Sequence, residues 1–221
     1  MRIGILGGTG PAGKALAVRL AACEMEVVVG SRQEERAQEV VKSLKERWSG
    51  RTLSLEGAEN TVAAAADLVV VATPWDGAAA TAALVHEELT GKVVVSMANA
   101  LSKVGDELQA LVPPRGSVGA AVQMAVPEAL VAGAFHHIPA RGLANLDESL
   151  DADVLVCSDH AEGMAATIEL VEKVPGLRAV AAGSLSNLAA IEAFTAVLVN
   201  INLAHRVHSS IRLTGFEGHR S

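Results

Sequence analysis

A strand, a glycine turn, a helix and a second strand fill the first thirty residues, and nothing else in the chain constrains the fold as tightly. Residues 2–7 (Arg-Ile-Gly-Ile-Leu-Gly) predict a buried strand, Lys14–Ala22 a helix with an apolar face, and Glu26–Gly30 a second strand. Between the first strand and the helix stands Gly8-Thr9-Gly10-Pro11-Ala12-Gly13, which has G-x-G-x-x-G spacing. Such a βαβ unit with glycines in its first turn is a dinucleotide-binding arrangement. Gly8 is expected to permit the tight turn, Gly10 to let a pyrophosphate approach the backbone, and Gly13 to let helix and strand pack closely. Unpaired N–H groups at the helix start then face the phosphates, where the helix dipole favours negative charge. A glycine-rich turn with no ligand is the alternative, and the position between strand and helix argues against it.

The end of the second strand bears on which dinucleotide is bound. NAD sites place a carboxylate there to accept from the ribose 2′-OH. Here the strand runs into Gly30-Ser31-Arg32, with Arg36 one helical turn later. A hydroxyl and a guanidinium suit a 2′-phosphate, so the reading is NADP. The alternative is that Arg32 covers surface and Ser31 only caps the next helix.

Farther along, strands alternate with helices. Gln33–Trp48 reads as a charged amphipathic helix, residues 52–55 as a short strand, and Asn60 as the cap of a helix through Ala66. Residues 67–73 (Asp-Leu-Val-Val-Val-Ala-Thr) and 92–96 (Lys-Val-Val-Val-Ser) are β-branched runs of the kind buried on both sheet faces, with a helix at 76–89 between them. A helix at 117–126, strands at 130–135, 153–157 and 176–182, a helix at 161–174 and a long apolar helix at 187–208 complete the reading. The fold class is therefore α/β: a doubly wound, mostly parallel, Rossmann-like sheet with a small C-terminal α/β region ending in a long apolar helix. The acidic stretch 145–153 marks the boundary between an NADP-binding domain, 1–150, and a small C-terminal domain, 151–221. In the last helix Glu192 is the only charge before His205 and Arg206. So apolar a helix is buried, and a homodimer interface is the expectation.

Composition narrows the function. Half the residues are apolar while aromatics are 2%, so the core is built from Ala, Val, Leu and Ile. A net charge of −7 argues against nucleic acid or an anionic membrane as the main partner. Cys23 and Cys157 fit no metal or redox pattern, and both read as inert thiols. The histidines at 86, 160, 205, 208 and 219 are scattered, so no metal is expected. With no Tyr, a Tyr-x-x-x-Lys reductase pair is impossible. The chain opens directly on a strand and holds no apolar run judged long enough to cross a bilayer, so a soluble cytoplasmic protein is expected.

In open α/β sheets, ligands lie beyond the carboxyl ends of the strands. The segments leaving strands are Thr73-Pro74-Trp75, Met97-Ala98-Asn99, His136-His137-Ile138-Pro139 and Gly183–Asn187. Pro74 aims Trp75 at the cleft mouth, with ordinary packing of Trp75 as the alternative. Two imidazoles at one strand end can bond a ligand's anionic or hydroxyl groups. Ser184, Ser186 and Asn187 can cap the last helix and bind an anion there.

These segments, in this order over nearly the whole chain, resemble the NADPH-dependent coenzyme F420 reductases. The likeness is carried by Ile5–Gly10, Val29–Arg32, Pro74-Trp75, residues 136–141, 144–147, 153–157 and 183–187. The resemblance implies reversible hydride transfer between NADPH and the C5 position of the deazaflavin F420, the two rings stacked in one cleft. It implies that Thr9, Ser31, Arg32 and Arg36 hold the 2′-phosphate and that Pro74 and Trp75 flank the nicotinamide. It further implies that His136, Ile138 and Pro139 line the deazaflavin, with Ser186 and Asn187 on the ring or its tail. His136 would bond the deazaflavin and steady its charge on reduction. Gly142-Leu143 departs from the family pattern, and 99–115 carries little of it. Two other readings stay open at this point: an NADP-dependent reductase of an imine, a flavin or a ferric substrate, and a non-catalytic NADP sensor.

Overall fold

The computed structural model describes residues 1–215; His219 lies outside them. The strands are β1 (Arg2–Leu6), β2 (Glu26–Ser31), β3 (Leu55–Glu59), β4 (Leu68–Val71), β5 (Val93–Ser96), β6 (Leu101–Val104), β7 (Glu107–Ala110), β8 (Leu130–Gly133), β9 (Ala152–Ser158) and β10 (Leu177–Ala181). The helices are α1 (Pro11–Ala22), α2 (Glu34–Arg47), α3 (Asn60–Ala64), α4 (Trp75–Ala83), α5 (His86–Leu89), α6 (Val118–Ala125), α7 (Ala140–Ala144), α8 (Ala161–Glu172) and α9 (Leu188–His205).

Eight strands form one sheet in the order β3-β2-β1-β4-β5-β8-β9-β10. From β3 to β8 every pair is parallel; β9 then runs antiparallel to β8, and β10 follows β9 in parallel. The β-branched runs at β4 and β5 are buried throughout, as strands covered on both faces must be. One side of the sheet packs on α1, α2, α7 and α8 through residues such as Leu16, Leu20, Val41 and Leu170. The other packs on α3, α4, α6 and α9 through Ala63, Ala78, Val122 and Leu188. The sheet is continuous past residue 150, because β8 and β9 pair across that point.

Several local expectations need correction. The helix expected at 76–89 breaks at Leu84 and Val85 into α4 and α5. The strand expected at 52–55 lies a few residues later, at β3, and overlaps the expectation only at Leu55. Asn60 does not cap α3, whose N-cap is Glu59. Residues 101–110 form a β6–β7 hairpin turned at Gly105 (φ +61°), which the sequence reading left blank. Asn200 of α9 holds that hairpin by donating from Nδ2 to the Leu108 carbonyl and accepting the Leu108 N–H, both at 2.8 Å. Leu185–His205 is, contrary to expectation, long and apolar enough by length and composition to cross a membrane. In the fold it lies against α6 and the hairpin, with Glu192, Thr195 and Asn200 all bonded to protein groups.

Candidate functional site

The glycine turn is built as a close-approach device, with one shift of register. The left-handed residue is Gly7 (φ +68°), not Gly8. A Cβ on Gly7 would lie 3.0 Å from the Thr73 Cα, so the β1 and β4 loops touch there. A Cβ on Gly13 would stand 2.8 Å from the Gly8 Cα, the tight packing expected of the third glycine. At Gly10 a Cβ would meet nothing nearer than 3.6 Å, so its missing side chain leaves open space on the ligand side. Gly10 is also the N-cap of α1 and offers no side-chain acceptor, while Pro11 has no N–H to lose. The N–H groups of Ala12 and Gly13 therefore remain available to an anion. Asn60, missed as a site residue, braces this turn: its Oδ1 accepts the Gly7 N–H at 3.3 Å.

At the end of β2, Ser31 is buried and its Oγ accepts the Gln33 N–H at 3.2 Å. Arg32 and Arg36 are exposed, and among the described residues neither forms an ion pair. Two free guanidiniums flank the position where a ribose would meet the strand end. Sequence reasoning missed Glu59, which stands opposite Ser31 in the β2–β3 register.

The carboxyl ends of β4, β5 and β8 lie side by side next to the glycine turn. Three buried polar atoms lie there without hydrogen-bond partners, Thr73 Oγ1, Ser96 Oγ and Asn99 Oδ1, and the buried His136 ring meets only the Ala98 backbone. Buried polar atoms ordinarily find partners, so an orphaned group of them at one sheet edge fits a ligand that supplies the missing bonds. Pro74 caps α4, Trp75 is half-buried against the core, and Met97 and Ala98 are buried. Ile138 is buried and Pro139 caps α7.

His136 is set by a strained turn, since the buried residue before it, Phe135, has φ +63°. Its carbonyl accepts from Asn99 Nδ2 at 2.9 Å and from Thr195 Oγ1 at 3.2 Å. Burial first, and the adjacent His137 second, lower its pKa to about 3, with a hydrogen bond to the Ala98 backbone opposing them. The ring is neutral at physiological pH, so it can donate or accept a hydrogen bond but brings no positive charge. His137 differs. Its Nε2 lies 2.7 Å from the Asp153 carbonyl and donates to it, which ties the ring to β9.

Ser186 and Asn187 follow β10, which runs against β1–β8. Through β9, the end of β10 is nevertheless level with the carboxyl end of β8, where the next residue, Leu188, packs over Gly133. Asn187 Nδ2 donates to the Ala182 carbonyl at 2.7 Å. Ser186 shares a hydrogen bond with Ser184 and lines a separate hollow of about 280 Å³ with Arg115, Ser117 and Asp159. Cys157 is buried, and desolvation pushes its thiol up to about 11, which fits an inert residue. No cluster of metal-binding side chains occurs among the described residues.

A family model described as "NADP oxidoreductase coenzyme F420-dependent" matches residues 2–100. The F420-dependent NADP reductase of Methanocaldococcus jannaschii is 37% identical over 98% of this chain and 100% of its own length. The enzyme of the same description from Methanothermobacter thermautotrophicus is 34% identical over 97% of this chain and 95% of its own. A crystal structure from Arthrobacter sp. FB24 superposes with a TM-score of 0.81 at 24% identity, covering 96% of this chain and all of that one. That last likeness speaks to the fold alone. On the full-length identity to its archaeal relatives, this chain belongs to the F420-dependent NADP reductase family.

Proposed function

We infer that the protein transfers a hydride reversibly between NADPH and the deazaflavin coenzyme F420. The buried, underbonded polar groups of Thr73, Ser96, Asn99 and His136 beside the glycine turn carry this reading, since they suit two polar rings bound side by side. Bound together, the two coenzymes supply the donor and acceptor carbons, and the chain supplies positioning. The N–H groups of Ala12 and Gly13 take the pyrophosphate. Thr9, Ser31, Arg32 and Arg36 take the 2′-phosphate through charge-assisted bonds. Thr73, Pro74, Trp75, Met97 and Ala98 border the nicotinamide. His136, Ile138 and Pro139 border the deazaflavin, His136 as a neutral hydrogen-bonding ring. Burial of Met97, Ala98, His136 and Ile138 keeps water from the hydride path.

Residues 1–150 form the NADP-binding part, and the C-terminal part from 151 onward completes the cleft; residues 216–221 lie outside those described. The outer face of α9 exposes Phe194, Val197 and Ile201 by 40–50%, an apolar stripe suited to a second copy of the chain in a cytoplasmic homodimer.

The test mixes the purified chain with NADPH and oxidised F420 and follows the deazaflavin absorbance. Bleaching at a rate set by enzyme concentration is expected, with FMN inert. Turnover of FMN without F420, or NADPH binding with no acceptor reduced, refutes the assignment.

A further inference from the structure

Leu188, Glu192 and Thr195 recur at i, i+4 and i+7 on α9 and share one face of it. Each touches a different part of the molecule. Leu188 is fully buried over Gly119 and Gly133. Glu192 is 3% exposed, and its two oxygens accept the N–H groups of Val118 at 2.8 Å and Gly119 at 3.1 Å. Thr195 reaches the His136 carbonyl. A helix leaves its first N–H groups unpaired, and the carboxylate satisfies two of them on α6 while Ser117 Oγ satisfies Ala120. An apolar residue would fill the same space without the cost of burying a carboxylate. The site keeps a group that can accept two hydrogen bonds at once.

We propose that Glu192 is a positioning residue for the deazaflavin side of the cleft, fixing α9 to α6 so that Leu188 and Thr195 seat His136. This rests on the reading that His136 borders the deazaflavin. Among the described residues, no opposing charge pairs with Glu192. Helix α6 carries no ionisable side chain, and β5 brings only the Ser96 hydroxyl. The turn after β8 brings His136, held neutral, and His137, tied to β9. The hairpin brings Asp106 and Glu107 near Asn200, about two turns farther along. Arg212 shares a hollow with Ile191 and Phe194 but is paired with Asp151 and Asp153.

Burial therefore pushes the Glu192 carboxyl up to about 7, although the Val118 and Gly119 N–H groups favour its charged form. Two consequences have opposite sign. The folded pKa lies above the unfolded one, so the contribution to stability is full below about pH 4.5 and is lost as pH rises through about 7. The ionised form is the better double acceptor, so seating of His136 improves over the upper part of that range.

The test uses the full chain with Glu192→Gln, neutral with one acceptor oxygen, and Glu192→Met, similar in size with none. Three quantities are read: amide hydrogen exchange at 117–122 and 134–138 against 8–16 as an internal reference, the NADPH Kd, and the pH dependence of the F420 KM. Glu192→Met is expected to speed exchange in both segments and to raise the F420 KM about tenfold, roughly the worth of one net hydrogen bond. The NADPH Kd should stay within about twofold, because the glycine turn is untouched. Glu192→Gln should show a smaller change and abolish the pH step; it carries the test alone if the Met variant does not fold. Faster exchange confined to 117–122 makes Glu192 a local cap and overturns the proposal, as does an equal loss of NADPH affinity. If the wild type reduces no F420, the functional reading fails, while exchange at 134–138 still decides the link from Glu192 to His136.

Discussion

Gly133→Ala tests whether His136 is seated against α9 as the geometry requires. Gly133 ends β8, opposite Ser96 and Cys157. A Cβ placed there would stand 2.6 Å from Leu188 Cδ1, closer still to Cδ2, and 3.0 Å from His136 Nε2. Leu188 is fully buried, so its methyls have no solvent to swing into. Overpacking of this kind costs about 1–3 kcal/mol. Leu188→Ala alone costs about 2–5 kcal/mol through the cavity it leaves. In the double variant the new methyl enters that cavity, so stability should stay close to that of Leu188→Ala. Summing the single losses would give about 3–8 kcal/mol, and the double variant should fall short of this by about 1–3 kcal/mol. Urea unfolding of the four proteins gives the cycle. The 3.0 Å approach to Nε2 adds a functional readout, since the ring must move by a few tenths of an ångström. The F420 KM should rise in Gly133→Ala, with the NADPH Kd constant. Strict additivity of the stability losses, or an unchanged F420 KM, refutes the packing argument.

Two further outcomes follow from other parts of the fold. Arg32→Ala should weaken NADPH binding by about 1.5–3 kcal/mol and NADH binding far less, measured by fluorescence titration; equal losses would show that Arg32 does not read the 2′-phosphate. Asp153 is buried beneath Arg178, Arg212 and the Leu213 N–H. Burial alone would raise its pKa, but the Arg178 hydrogen bonds, the Leu213 N–H and the charges of both arginines outweigh it and leave the carboxyl below its usual range. Its stabilisation is therefore complete above the unfolded carboxyl range and lost as pH falls through the depressed folded value. Asp153→Asn should cost about 2–3 kcal/mol, at or below the low end for a broken buried pair because both arginines are half-exposed, and should flatten the acid limb of the thermal-unfolding profile. An unchanged acid limb would show that the Asp153 pair is not what is titrating.

The parallel half of the sheet and the dinucleotide turn are legible in residue order alone. β-branched runs buried on two faces, glycines at fixed spacing and a cationic strand end act over a few residues, so their physics is legible in order along the chain. Even there the positive φ fell at Gly7, because which of two adjacent glycines takes the strained conformation depends on contact with Thr73 from another strand. The direction of β9 and β10 was not legible, since a strand's residues do not encode which way its neighbour runs. The register through β9 still brings the start of α9 level with the carboxyl end of β8, where Leu188 packs over Gly133. Glu192 was visible as a lone acid in an apolar helix, but only the packing of α9 on α6 supplied the two N–H groups that give it a role. Tertiary structure also decided the state of His136: the dipeptide promised a titratable pair, and burial against α9 made this ring neutral. Periodicity and turn chemistry are local and can be read from order; hydrogen-bond partners and desolvation exist only once distant segments meet.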